Sequence, residues 1–470
     1  MNSLFLSALH KSSGKTTVAL GLAAALNARG TTVQPFKKGP DYIDPMWLGR
    51  AAGRDCLNLD FHTMTKDEIL STVATRTTDA DLALIEGNKG LYDGLDVEGH
   101  DSNAALAGLL GTPIVLVIDT RGMTRGIAPV VLGYQTFGPD LDIAGLILNQ
   151  VGGARHEGKL RAAVEHYTDI PVLGAIGRHP EMEITERHLG LVPANEADEA
   201  DMVVATIAKI IEDEVELDRV LAAAGPANIP DTFPSSQSKP ITAELRIAFA
   251  RDAAFGFYYP DDLEALERAG AELIPFDALS DNRLPDADGL FLGGGFPETQ
   301  AQALSENTAL RHDIKAALAG GMPAYAECGG LMYLARSLTW KGITYEMAGV
   351  VPGDAVLHDR PVGRGYVVLG ETAKAPWAPL NSQDGDTPSD LPAHEFHYAS
   401  MENLPPETVF AYTVKRGYGI DGKNDGIVMG NLLAAFTHQR NVARNPWAER
   451  FVRFVRSVKD LKANKVSASA

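Results

Sequence analysis

Along the first half of the chain, short runs in which every residue is apolar alternate with stretches of helical spacing. Residues 82–85, 114–118 and 143–148 carry no polar alternate positions. A strand of that kind has no wet face, and it belongs in a parallel sheet covered by helices on both sides. Residues 3–7 and 31–36 read as further strands, and 18–29, 102–110, 124–137 and 156–167 as helices between them. The alternation predicts a doubly wound α/β domain whose ligands gather at the carboxyl ends of the strands. Residues 210–219 are rich in acids and read as a solvated helix face. Periodicity then stops over 222–242, where Pro226, Pro230, Pro234, Ser235, Ser236 and Pro240 give a linker composition. A second α/β pattern starts at 245–250 and continues through 289–292 and 323–326. The expected organisation is a first domain over 1–221, a linker over 222–243, a second domain over 244–458 and a flexible tail over 459–470.

The chain has 470 residues, enough for more than one core, and its 45% hydrophobic and 22% charged content is that of a soluble globular protein. A net charge of −19 argues against nucleic acid or an anionic membrane as a partner. An anionic small-molecule substrate therefore needs local cations. Two cysteines, Cys56 and Cys328, exclude a disulfide framework and fit a reducing, cytoplasmic setting. Neither a membrane-spanning run nor a signal-peptide pattern is seen. A homodimer is left open.

Ser7 to Thr17, SALHKSSGKTT, follows the first strand and opens a helix. It reads as a phosphate cradle. Backbone N–H groups at a helix start attract anions, Lys15 adds a point charge, and the Thr16 hydroxyl can hold Mg²⁺. Leu9 stands where the common pattern has glycine. Two acid-bearing stretches follow strands in the same half: FKKGPDYID from Phe36, read as a loop exposing two lysines and two aspartates, and EGNKGLYDG from Glu86. Mg²⁺ on a nucleotide takes one or two carboxylates, which Asp41 or Glu86 can supply.

In the second half, AYAECGGLMYL places Cys328 at a turn between a buried strand and an apolar helix. Small flanking residues allow a sharp turn, and a helix start favours the thiolate. The triplet Gly293–Gly295 can present N–H groups to an oxyanion. His394, His397 and His438 are the candidate bases; His438 follows an apolar stretch able to bring it beside the sheet. Cys56 reads as structural.

On these motifs the chain resembles the cobyrinic acid a,c-diamide synthase family over nearly its whole length. The matching stretches are QPFKKGPDYID from Gln34, Glu86-Gly87 with GLYDG from Gly90, ERHLGL from Glu186, AECGG from Ala326 and HEFHY from His394. The resemblance implies a dethiobiotin-synthetase-like ATP-binding domain joined to a class I glutamine amidotransferase domain. Cys328 would attack glutamine with His438 as base, and the ammonia would pass internally to the first domain. There ATP, held by Gly14, Lys15, Thr16 and Thr17 with Mg²⁺ on Thr16, Asp41 and Glu86, would phosphorylate an acetate side chain of a tetrapyrrole, and ammonia would displace the phosphate. Lys37, Asp44 and Asp93 fall where the family arranges substrate and acyl phosphate. The chain departs from the family at Ala8, His10 and Lys11, where glycines are usual, at Asn88 and Lys89, where small or apolar residues are usual, and at Arg440, where a second histidine is usual. The first two departures resemble a subgroup that amidates sirohaem or a metallo-sirohydrochlorin. An ATPase switch without amidation and a tetrapyrrole carrier are readings of other classes; both leave Cys328 without a role.

Overall fold

The computed structural model describes residues 2–138, 140–184, 186–187, 190–196, 199–230, 243–377 and 390–469. It divides into two units, Met1–Ser236 and Gln237–Ala470.

The first unit is built on β1 (Asn2–Ala8), β2 (Val33–Lys38), β3 (Leu57–Leu59), β4 (Leu82–Glu86), β5 (Ile114–Asp119), β6 (Ile143–Val151) and β7 (Val172–Gly177). Their order across the sheet is β3-β2-β4-β1-β5-β6-β7, all parallel. The wholly apolar runs are β4, β5 and most of β6, buried along nearly their whole length as a sheet covered on both faces requires. The helices between them are α1 (Lys15–Ala28), α2 (Ile43–Ala52), α3 (Lys66–Arg76), α4 (Asn103–Leu110), α5 (Ile127–Phe137) and α6 (Ala154–Tyr167), and α7 (Ala200–Glu214) follows β7.

Several expectations change. Lys37 and Lys38 do not stand in an exposed loop; they end β2 and are buried. The chain after them forms α2, begun by Asp41, whose Oδ1 accepts from the N–H groups of Ile43 (2.9 Å) and Asp44 (3.1 Å). The acid-rich stretch 210–219 is not one solvated face: Ile207 and Ile211 of α7 are fully buried, and a further short helix begins at Leu217. Of the expected linker, residues 231–242 lie outside the described residues, while Gly225–Pro226 pairs antiparallel with Asn2 and Ser3.

In the second unit the strands Ala271–Phe276, Leu245–Ala250, Gly289–Leu292, Ala324–Glu327 and Leu432–Ala435 run parallel in that order. The sheet continues antiparallel through Asn424–Met429, Val409–Arg416, Gly363–Glu371 and Leu391–His397. One face is packed by aromatic side chains, with Phe291 stacked on Tyr325 at 5.5 Å between ring centres and Trp447 set edgewise on Phe291. Each such ring contributes on the order of 2–3 kcal/mol of burial. Trp447 opens the last helix, Trp447–Ser469, which runs on through the residues read as a tail. No helix among the described residues is long and apolar enough to cross a membrane.

Candidate functional site

In the first unit the parallel register sets Lys37 on β2 opposite Glu86 on β4, and Glu86 opposite Leu6 on β1. Two residues beyond Leu6, β1 ends and the chain enters the loop that leads into α1. The phosphate-loop residues and the acid that ends β4 therefore meet at the carboxyl end of the sheet.

Gly14 precedes α1 with φ +84°. The Asn149 side chain, from the end of β6, donates from Nδ2 to the Ser13 carbonyl at 2.9 Å, and a Cβ on Gly14 would lie 2.3 Å from that nitrogen. Glycine is required there by both the backbone angle and the space. Lys15, Thr16 and Thr17 form the first turn of α1. The Thr16 hydroxyl lies 2.7 Å from Glu86 Oε1 and 3.2 Å from Asp44 Oδ2. The Lys37 ammonium donates to Asp44 Oδ2 at 2.5 Å and lies 3.0 Å from Glu86 Oε1.

Buried charges of both signs balance here. Burial alone lowers the pKa of Lys37, but the facing Asp44 and Glu86 carboxylates outweigh it and hold the ammonium charged. Burial, reinforced by Lys37, lowers Lys15 to about 8, while Glu86, Asp44 and Asp93 act in the opposite sense. Asp41 is raised to about 7, by burial first and then by Asp44. Its Oδ1 is taken by the start of α2, so Asp44, not Asp41, shares the Thr16 hydroxyl. Asp93 Oδ2 accepts from Gly90 N at 3.1 Å. Among the described residues, Glu86 Oε2 is buried without a hydrogen-bond partner. A hydroxyl and two carboxylates, one of them with an orphaned oxygen, form a hard donor set that fits Mg²⁺.

Two asparagines that sequence reading missed hold this site. Asn149 ties the phosphate loop to β6. Asn103, the buried first residue of α4, donates to the carbonyls of Lys89 (3.2 Å) and Gly90 (2.9 Å) and accepts from Asn88 N (3.2 Å), fixing the loop after Glu86. Of the stretch ERHLGL, Glu186–Arg187 and Gly190–Leu191 pair antiparallel, and His188 and Leu189 lie outside the described residues.

In the second unit the strands Ala324–Glu327 and Leu432–Ala435 are parallel neighbours, with Glu327 opposite Ala435. Cys328 follows at φ +46° and ψ −99°, its N–H donating to the Ala435 carbonyl at 2.8 Å. Such a left-handed angle in a side-chain-bearing residue costs about 1–3 kcal/mol and is typical of a strained nucleophile turn. His438 comes three residues after Ala435. A Cβ on Gly294 would lie 2.6 Å from His438 Cε1, and one on Gly329 would lie 3.0 Å from Gly295 N, so the glycine triplet threads between the Cys328 turn and the imidazole. Gly293 N is not free for an oxyanion, because it donates to the Tyr258 hydroxyl at 3.0 Å.

The His438 loop is clamped from beneath by the buried Asp425, which accepts from Phe436 N, Thr437 N and the Thr437 hydroxyl at 3.1, 3.0 and 2.6 Å. Glu327 Oε2 lies 3.4 Å from His438 Nδ1, while its Oε1 accepts from Gln439 N at 2.9 Å and from the Tyr325 hydroxyl. His394 is stacked on His438 at 4.9 Å between ring centres, and the two backbones exchange hydrogen bonds of 2.8 and 3.2 Å. His397 faces elsewhere: its ring stacks on Phe436 at 4.0 Å and its Nδ1 bonds the Ala399 carbonyl. The expected thiolate does not follow from the helix start, since burial first, then Glu298 and Glu327, push the Cys328 thiol up. A base is therefore needed to ionise it. The Arg440 guanidinium lies 2.9 Å from Asp261 and over the Tyr259 ring.

Two family models match the chain: the CobQ/CobB/MinD/ParA nucleotide binding domain over residues 10–192 and the CobB/CobQ-like glutamine amidotransferase domain over residues 246–446. Among curated relatives, the cobyrinate a,c-diamide synthase of Magnetococcus marinus is 46% identical, covering 96% of this chain and 97% of that protein. The enzymes of that name from Methanosarcina acetivorans and Archaeoglobus fulgidus are each 40% identical; both matches cover 94% of this chain, with 92% and 94% of the relatives. A P-loop nucleotide-binding unit followed by a glutamine amidotransferase unit, matched end to end at these identities, places the chain in the cobyrinate a,c-diamide synthase family of glutamine-dependent, amide-forming ligases.

Proposed function

We propose that the chain converts acetate carboxylates of cobyrinate to carboxamides, with ATP as activating agent and glutamine as nitrogen donor. The observation that carries this reading is the presence in one chain of two separate constellations: the Gly14-to-Thr17 loop with Glu86, Asp44 and Lys37, and the Cys328 turn with His438. Neither is needed to complete a core, and a switch or a carrier uses only one of them.

In the second unit His438 takes the thiol proton, and the Cys328 sulfur attacks the glutamine carboxamide carbon. The proton returns to the leaving nitrogen, ammonia departs, and water hydrolyses the thioester to glutamate. In the first unit Lys15 and the N–H groups at the start of α1 bind and orient the ATP phosphates. A carboxylate oxygen of the macrocycle attacks the terminal phosphorus and ADP leaves. Ammonia then attacks the acyl carbon, phosphate leaves with the carboxylate oxygen, and a proton is lost. Mg²⁺, held by Thr16 and Glu86 with Asp41 or Asp44, would supply charge neutralisation on the phosphates. Lys37, paired with both Asp44 and Glu86, holds the two carboxylates in place. Cobyrinate is preferred over sirohaem because the relatives bear that name, whereas Lys11 and Lys89 are exposed loop residues.

The test is mass spectrometry of cobyrinic acid and of sirohaem, each incubated with the protein, ATP, Mg²⁺ and glutamine. Loss of OH and gain of NH₂ on cobyrinic acid is the expected result. Conversion of sirohaem alone would reassign the substrate, and no conversion of either macrocycle would sink the amidation reading. Oxygen-18 placed in the substrate carboxylate is expected in the released phosphate, as an acyl phosphate demands.

A further inference from the structure

A cysteine–histidine pair needs its imidazole in one tautomer: Nδ1 protonated, so that Nε2 is free to accept the thiol proton. A carboxylate at Nδ1 ordinarily enforces this. The position two residues beyond the base cannot supply one here. It holds Arg440, a buried cation whose guanidinium is bound to Asp261 and lies 4.9 Å over Tyr259. His394, stacked on the base, offers a ring and not an anion.

We propose that Glu327, the residue immediately before the nucleophile, is the positioning residue of His438. Both side chains are buried. Glu327 Oε2 stands 3.4 Å from His438 Nδ1. The other oxygen, Oε1, is pinned by the Tyr325 hydroxyl and by the N–H of Gln439, the residue that follows His438, at 2.9 Å. One carboxylate thus faces the ring of the base and holds the backbone of the residue that follows it, while the next residue along the same strand end carries the thiol. The parallel pairing of Glu327 with Ala435 fixes this arrangement through the sheet, so the orienting carboxylate travels with the nucleophile instead of with the base. The charge also has a use during the reaction: an imidazolium formed at His438 gains a counter-ion already in position.

This inference rests on the glutaminase reading above, and the experiment separates the two. Glutamine-driven and ammonium-driven amidation, together with glutamine hydrolysis, are measured on the full chain for Cys328→Ala, Glu327→Gln, Glu327→Asp and Tyr325→Phe. Glu327→Gln places an amide N–H against Nδ1 and favours the wrong tautomer, so kcat for glutamine hydrolysis is expected to fall about 10²- to 10⁴-fold with KM little changed. Its pH profile is expected to lose the wild-type inflection, Glu327→Asp to recover part of the rate, and ammonium-driven amidation to stay at the wild-type level. Glutamine hydrolysis by Glu327→Gln near the wild-type rate with an unaltered pH profile would overturn the proposal. If that variant also loses ammonium-driven amidation or is insoluble, Tyr325→Phe decides. It frees one anchor of the carboxylate while keeping the ring; a lowered hydrolysis rate with a shifted pH profile supports the proposal and an unchanged one overturns it. Retained glutamine-driven activity in Cys328→Ala would instead bring down the glutaminase reading itself.

Discussion

Replacing Gly14 by alanine isolates what the phosphate loop requires. Gly14 sits at φ +84°, where an L side chain costs about 1–2 kcal/mol. The new methyl would lie 2.3 Å from Asn149 Nδ2, so that amide must move and give up its 2.9 Å bond to the Ser13 carbonyl, a further loss of about 1 kcal/mol. The loop can relax while no phosphate holds it, so the cost is expected in affinity: about 2–3 kcal/mol, or about a 30- to 150-fold rise in Kd for ATP with Mg²⁺. Calorimetric titration measures it directly. A double-mutant cycle then tests the stated cause. Asn149→Ala alone should cost about 1 kcal/mol, and in its presence the methyl meets no obstacle, so the pair should cost about 1 kcal/mol less than the sum of the singles. Additivity to within about 0.3 kcal/mol would show that the Asn149 contact plays no part, and an unchanged Kd in Gly14→Ala would remove the loop from nucleotide binding altogether.

Other outcomes follow from the buried charges and the caps. Lys37→Met strands the Asp44 and Glu86 carboxylates and should cost about 3–5 kcal/mol in urea unfolding of the first unit, part of it recovered by adding Glu86→Gln. Thr65→Ala breaks the capping box with Glu68 at the start of α3 and should cost about 1 kcal/mol with amidation rates unchanged. Because burial raises the Cys328 pKa, less thiolate is present at any given pH than for an ordinary thiol. Alkylation of Cys328 in the glutamine-free protein, followed by peptide mass spectrometry, should still be climbing with pH where a free cysteine has levelled off, and a plateau near the ordinary thiol pKa would contradict this.

The strands most legible in the sequence were those whose environment is uniform. Runs such as 82–85 and 114–118 are apolar at every position because both faces are covered, and they are strands. β3 is three residues long and β7 carries two glycines, so neither offers a window in which a pattern can accumulate. Lys37 and Lys38 misled for a different reason: adjacent lysines read as solvent-facing, and nothing local announces that Glu86, nearly fifty residues on, lies opposite in the register. The Cys328 turn was visible because small residues crowd both sides of it. Glu327 was not, since its meaning depends on a histidine brought up by the neighbouring strand. Asn103 and Asn149 were equally hidden; a polar residue at the end of an element looks like any cap or turn until its partners are known.

The pairing of Ala324–Glu327 with Leu432–Ala435 has a consequence for how such a chain can change over time. About a hundred residues separate Cys328 from His438, yet their spacing is set by two short neighbouring strands and by the hydrogen bond from Cys328 N to the Ala435 carbonyl. The intervening excursion returns to the sheet at a fixed register, and closing a longer or shorter loop changes its entropy only slowly with length. Insertions and deletions at its exposed turns can therefore accumulate while the reacting atoms keep their places. That freedom makes the excursion the natural place for lineages to diversify around a constant chemistry.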